Sequence, residues 1–283
     1  MSIDLPHLKS WIGREEVRVE TLSSVPSNAL AATLDREEDF YKEGDALPPL
    51  WHWLHFLPMA PMREVGPDGH PKRGGFLPPV PLERRMWAGS RLAFHKPLRI
   101  GEKIEKRSRI LSVDHKSGRS GDLVFVCVEH VYSSGGSEAI HEEHDIVYRA
   151  APAPGTPQPK GEPAPTDGQF TRAITPDPVL LFRYSALTFN SHRIHYDHPY
   201  VTEVEGYPGL IVHGPLIATL LLDNLRRAHP ARAVKHFSFR ALSPIFHIDP
   251  FTCCGDLDAS GEATLWARKA DGTLAMQASA TLG

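Results

Sequence analysis

The chain has 283 residues, 41% of them hydrophobic and 23% charged, with a formal net charge of −3. That length accommodates two domains of ordinary size, and so small a charge creates no global field to draw nucleic acid or an anionic membrane. No apolar run has signal-peptide or bilayer-spanning length, and three cysteines are too few for a disulfide scaffold, so the sequence reads as a cytoplasmic protein with reduced thiols.

In chain order, the first predicted element is a helix over NALAATLD, introduced by Ser24-Val25-Pro26-Ser27, cap residues and a proline of the kind that open helices. The stretch that follows, DREEDFYKEGDALPPLWHWLHFLPM, is acidic and then aromatic. Its Trp51, Trp53 and Phe56, with Trp87 and the run Pro78-Pro79-Val80-Pro81, read mainly as core. DLVFVCVEHVYSS (122–134) alternates as a half-buried antiparallel strand, and HEEHDIVYRA (141–150) reads as another. Residues 151–168, APAPGTPQPKGEPAPTDG, have almost nothing to bury and predict an extended, semi-rigid linker.

The linker separates 1–150 from 169–283, and the second part repeats the order of elements. Asp177-Pro178 opens a helix over VLLFRYSALTF. PLIATLLLDNLRRA, from Pro215 to Ala228, is apolar over well more than half its surface, the pattern of a helix covered by a curved antiparallel sheet. ATLWARK and LAMQASATL, within 263–282, alternate as strands. A looser echo relates Phe94…Pro97…Gly101-Glu102 to Phe239…Pro244…Gly255-Asp256. The class is α+β.

Between those helices lies YSALTFNSHRIHYDHPYVTEVEGYPGLIVHGPL (184–216), which gathers His192, His195, His198, His213 and Asp197. Zinc sites of the H-E-x-x-H type need histidines four apart on a helix. Here His192 and His195 are three apart with the cation Arg193 between them, so no metal is expected. What remains is either a hydrogen-bonded piece of core or polar groups converging in an apolar cleft, a common setting for chemistry.

The segment resembles the signature of the MaoC-like, or hydratase 2, family of hotdog-fold enoyl-thioester hydratases and dehydratases. That signature runs approximately S-G-D-x-N-P-[IL]-H-x-D and then G-[FY]-x-x-P-[IV]-x-H-G. The matching residues are His195, Asp197, Gly206-Tyr207 and His213-Gly214. Asn190 stands where the family has an aspartate, and His192-Arg193 where it has Asn-Pro. This variant resembles a two-hotdog subgroup that includes type 2 3-hydroxyacyl-thioester dehydratases and hydratases of mesaconyl-C4-CoA or itaconyl-CoA. The resemblance implies a double hotdog, two curved antiparallel sheets each wrapped around a central helix. Residues 1–150 would be a degenerate hotdog that lends its surface to the substrate tunnel, and 169–283 the catalytic one. It also implies a hydro-lyase without a cofactor, acting on an acyl-CoA thioester as a monomer or homodimer, with no nucleic-acid or membrane partner.

Hydration of an enoyl thioester needs a base for the attacking water, an acid for C2 and donors for the enolate-like oxygen. His195 fits the base, since imidazole titrates near neutrality. Asn190 cannot ionise but can orient the water. The Gly214 amide, at the start of a buried helix, suits the thioester oxygen. His192 and Arg193 would recognise a second carboxylate on a branched C5-dicarboxylyl substrate giving citramalyl-CoA. Asp197 would orient a histidine or hold its loop, and Tyr207 and His213 would complete the pocket. Three other readings stay open: a dehydratase of plain fatty acyl chains, a silent acyl-CoA-binding subunit and a thioesterase.

Overall fold

The computed structural model describes residues 3–36, 40–118, 121–151 and 161–283. Half of the predicted linker, residues 152–160, lies outside the described residues. The first half supplies β1 (Glu15–Thr21), β2 (Arg84–Phe94), β3 (Lys103–Gly118), β4 (Gly121–Ser134) and β5 (Ser137–Arg149). The second supplies β6 (Phe170–Ile174), β7 (Val234–Ala241), β8 (Phe251–Leu257), β9 (Glu262–Lys269) and β10 (Leu274–Leu282). The alternating runs around 122–134, 141–150 and 263–282 therefore form strands as their period requires.

Every ladder is antiparallel, and the order is β1-β3-β4-β5-β2-β7-β10-β9-β8-β6. Within each half, the strands lie in the order first-third-fourth-fifth-second, counted from the outer edge to the centre. The two sheets expected from the sequence are thus joined into one ten-stranded sheet. Pairing β2 with β7 removes two open edges, each a row of unpaired N–H and C=O groups. The approach is close at Gly89, where any Cβ would lie 2.3 Å from the Phe239 carbonyl oxygen.

Four α-helices complete the described fold: α1 (Leu5–Lys9), α2 (Ser24–Thr33), α3 (Pro178–Leu187) and α4 (Gly214–Ala228). Asp177 caps α3 by accepting from the Leu180 amide at 2.8 Å. In α4 every residue from Leu216 to Leu225 is buried, and the helix packs on β2, β6, β8, β9 and β10.

The expected central helix of the first half is absent among the described residues, which is a correction to the sequence reading. Pro48-Pro49 and Leu50, held at φ +71°, lead instead into a 3-10 turn, Trp51–Leu54. The Pro- and Gly-rich stretch from 58 to 81 cannot sustain helix either. That turn reaches the sheet through Glu142 of β5, which is buried and accepts from Trp53 Nε1 at 3.2 Å and Ser90 Oγ at 3.1 Å. His52 Nε2 lies 3.3 Å from the same carboxylate. These partners compensate a charge that burial alone would neutralise, and they form a polar seam between two apolar clusters.

At the carboxyl end of α4, Asp223 is 1% exposed. It accepts from Arg36 Nε at 2.6 Å, Arg172 Nη1 at 2.8 Å and Arg227 Nε at 2.8 Å. Arg172 and Arg227 also donate to the Leu34 carbonyl, so this carboxylate ties the second half to the end of α2. No helix among the described residues is long and apolar enough to cross a membrane. Removing one member of a buried charge cluster strands the others, so Asp223→Ala is expected to lower stability by about 3 kcal/mol. Urea unfolding of the variant beside the wild type measures this.

Candidate active site

The histidine segment begins where α3 ends. Phe189 adopts φ +49° and turns the chain, and a 3-10 turn, Arg193–His195, follows. A single π turn, Tyr200–Val204, comes next. The chain then runs through Tyr207 and Val212 into α4. His195 is 7% exposed. Its Nδ1 lies 2.7 Å from the Ile211 carbonyl oxygen, which can only accept, so Nδ1 carries the proton and Nε2 is left as a lone-pair base. Burial drives its pKa down to about 4, against the raising effect of that carbonyl. The His213 ring stacks on it at 3.6 Å. His213 is 1% exposed and shares a 2.8 Å hydrogen bond with Ser185 Oγ. Burial, reinforced by His195 and His192, holds it well below the usual histidine range.

Other predicted residues fall into two groups. Asn190 Oδ1 accepts from the His192 backbone amide at 3.0 Å, which leaves its amide group as a donor. Gly214 is the first residue of α4, with His213 as cap and Pro215 second, one position earlier than the sequence reading set it. No side chain caps this end, so its first amides point out of the helix. A Cβ at 214 would have only the Trp87 carbonyl oxygen near it, at 3.9 Å. Asp197 and Arg193 pair with each other at 2.7 and 2.9 Å, and Asp197 also accepts from the Tyr200 amide at 3.1 Å.

Arg193 further donates to the Pro67 carbonyl and lies over the Tyr200 ring at 4.1 Å. Its guanidinium is committed to bracing the loop, which corrects its expected role as a carboxylate reader. Tyr207 likewise faces Arg84 of β2, which donates to its hydroxyl at 2.8 Å and pairs with Glu205 at 3.1 Å.

Sequence reasoning missed what the first half contributes. A hairpin-like loop, closed by the bridge between Val65 and Pro71, seats Asp68 and His70 against His192. The Arg193 amide donates to the Asp68 carbonyl at 2.9 Å, and Ser191 Oγ to the Gly69 carbonyl at 2.5 Å. Gly69 is required there, because a Cβ would lie 1.9 Å from the Ser191 carbonyl oxygen and its φ is +89°. His70 Nδ1 lies 3.2 Å from Asp68 Oδ2, and the His70 and His192 rings are 3.9 Å apart. Burial opposes ionisation of Asp68, but the His70 side chain and amide outweigh it and hold the carboxyl well below its usual range. His192 is pushed far down by burial and then by His70 and His195.

Arg85 of β2 acts electrostatically on both His70 and His192. It has no carboxylate partner among the described residues, unlike Arg84 and Arg193. Beside it, Trp87 stacks on His144 at 3.9 Å and meets Trp53 at 4.9 Å. The Gly-Pro and Asp-Gly pairs of GPDGHP (66–71) do mark a tight turn, but nothing local says where that turn docks.

Residues 50–247 match the hydroxyacyl-thioester dehydratase type 2 family. Mesaconyl-C(4)-CoA hydratase of Chloroflexus aurantiacus is 46% identical over 97% of each chain. The mitochondrial hydroxyacyl-thioester dehydratase type 2 of Schizosaccharomyces pombe is 31% identical over 74% of this chain and 77% of its own. Among solved structures, a MaoC-like dehydratase from Phytophthora capsici superposes with a TM-score of 0.70 at 15% identity, covering 99% of each chain. At that identity the likeness speaks for the fold alone.

The depressed histidine fixes a pH dependence of stability. His195 has a pKa near 4 when folded and about 6.5 when unfolded. The unfolded chain therefore binds more protons between those values, and stability falls as pH drops through that window, by up to about 1.4 kcal/mol per pH unit for this one group. Unfolding midpoints in urea at pH 7, 6 and 5 are expected to decline, and His195→Gln to decline less steeply.

Proposed function

The chain belongs to the hydroxyacyl-thioester dehydratase type 2 family, a hydro-lyase of the hotdog fold, and we propose that its substrate is a branched C5-dicarboxylyl-CoA, mesaconyl-C4-CoA or itaconyl-CoA, converted to citramalyl-CoA. The observation that carries this reading is the 46% identity, nearly end to end, with a mesaconyl-C(4)-CoA hydratase. Physical support comes from Arg85. In mesaconyl-C4-CoA the free carboxylate sits on the carbon that water attacks, so a cation near the row of histidines would recognise it by a charge-assisted hydrogen bond. Arg85 acts on His70 and His192 and has no anion of its own among the described residues.

In the mechanism His195 Nε2 takes a proton from water as the oxygen bonds to C3. The Asn190 amide group orients that water, and the Gly214 amide at the start of α4 receives the growing charge on the thioester oxygen. His192, Asp197, Tyr207 and His213 shape the pocket, with Asp197 acting through the Arg193 brace. The shared strand order of the halves supports a double hotdog with the site carried by 169–283, while 1–150 supplies Trp53, Trp87 and Arg85 to the substrate channel. Cys253 and Cys254 are buried and unbonded, which suits the reducing cytoplasm we assign to it.

Arg85→Gln tests the substrate. Loss of a charge-assisted contact in a partly desolvated site is worth about 10²-fold. kcat/KM for mesaconyl-C4-CoA is expected to fall by that factor while crotonyl-CoA turnover changes little. Equal losses on both thioesters would remove Arg85 from carboxylate recognition and favour a plain acyl chain.

A further inference from the structure

Hydration needs an acid for C2 as well as a base, and in the 184–216 segment the histidine beside His195, His192, has no carboxylate hydrogen-bonded to its ring among the described residues. Asn190 cannot ionise, Asp197 is committed to Arg193 and the Tyr200 amide, and His213 is enclosed between Ser185 and His195. We propose that His70, backed by Asp68, is the acid/base partner of His195: it delivers the proton to C2 in hydration and removes it in the reverse direction. This inference rests on the hydratase reading above.

The geometry carries it. A carboxylate accepts only, so the 3.2 Å contact from Asp68 Oδ2 to His70 Nδ1 places a proton on Nδ1 and makes Nε2 the working nitrogen. His195 is fixed in the same tautomer by Ile211. His192 lies between them, 3.9 Å from His70 and 5.5 Å from His195, ring to ring. Of two neighbouring imidazoles, the one hydrogen-bonded to a carboxylate holds a second proton more readily than the one on a carbonyl. His70 is therefore the acid and His195 the base. The charged and titratable groups around His70 are Asp68, which favours the imidazolium, and Arg85, Arg73, His192 and His195, which oppose it. The loop is positioned by Gly69 against Ser191 and by the Arg193 amide on Asp68.

The proton count closes. Starting from the His70 imidazolium, protonated on both nitrogens, and neutral His195, water gives its proton to His195 Nε2 while its oxygen bonds to C3, the C2–C3 π pair shifts toward C2 and the thioester, and C2 takes the proton from His70 Nε2, which leaves His70 neutral. One proton then returns from His195 to His70, through solvent or His192, and the enzyme is reset. The first half thus restores the carboxylate–imidazole pair that Asn190 denies the second.

Asp68, His70 and His192 also bring three possible ligand atoms within 4.8 Å of one another. Arg85 and Arg73 beside them disfavour a cation, and the experiment separates the two uses. Initial rates of mesaconyl-C4-CoA hydration are measured against pH for the wild type, His70→Ala, Asp68→Asn and His195→Ala, with circular dichroism as the check on folding. The expected result for His70→Ala is a kcat about 10²- to 10⁴-fold lower with KM within a few-fold. Asp68→Asn removes the charge that favours the imidazolium, so the alkaline limb of its profile moves to lower pH, a shift that a merely structural loop residue would not cause. A folded His70→Ala that keeps kcat within about twofold while His195→Ala is inactive overturns the proposal and leaves the hydratase reading standing. Inactivation of the wild type by a chelator, reversed by zinc, overturns it in favour of a metal. Failure of the wild type to hydrate any enoyl-CoA sinks the hydratase reading itself.

Discussion

The pairing of β2 with β7 is the constraint on which the rest of the arrangement depends. It makes one sheet of two halves and sets β2 alongside the second half, so that Arg84, Arg85 and Trp87 face residues more than a hundred positions later. It also fixes where the 65–71 loop can land, since that loop precedes β2 by a dozen residues. Asp223 adds a second tie at the far end of α4. The helix that presents Gly214 is therefore anchored to the first half at one end and lies against the seam at the other.

Electrostatics within the site follow from how its cations are used. Arg84 is neutralised by Glu205, Arg193 by Asp197, and Arg73 is spent on the Val80 carbonyl and its neighbours. Arg85 alone of this group has no carboxylate or carbonyl partner among the described residues, and it lies by the Tyr148 hydroxyl. Four imidazoles, His70, His192, His195 and His213, lie in file with no metal geometry required to explain them. Burial lowers the pKa of each, and at His70 the Asp68 carboxylate opposes that effect. An imidazole with one nitrogen fixed by a carbonyl or carboxylate presents its other nitrogen in a set direction, and the file contains two, His195 and His70.

Much of this was legible in the chain itself. The apolar breadth of PLIATLLLDNLRRA predicts a buried helix and α4 is one. The alternation of 122–134 and 263–282 predicts strands and they are strands. Asp177-Pro178 marks the start of α3 to the residue. The 184–216 signature points to His195 and the Gly214 amide, and in the structure His195 stacks on His213, the residue before Gly214. Other features were out of reach for physical reasons. The Asp68–His70 loop docks across 122 residues of sequence, and no periodicity encodes such a contact. Arg193 was read as a free cation, although Asp197 four residues later is a spacing at which opposite charges pair. The missing first-half helix was foreshadowed by prolines 48, 49, 58 and 61, which outweigh any analogy between the halves.

The measurement that bears most directly on the account is the loss of enoyl-thioester absorbance when the enzyme is added to mesaconyl-C4-CoA and crotonyl-CoA in parallel. Fast decay with mesaconyl-C4-CoA, slow decay with crotonyl-CoA and citramalyl-CoA as product are the predicted result. Unchanged absorbance with both, or release of free CoA thiol in place of hydration, would contradict it.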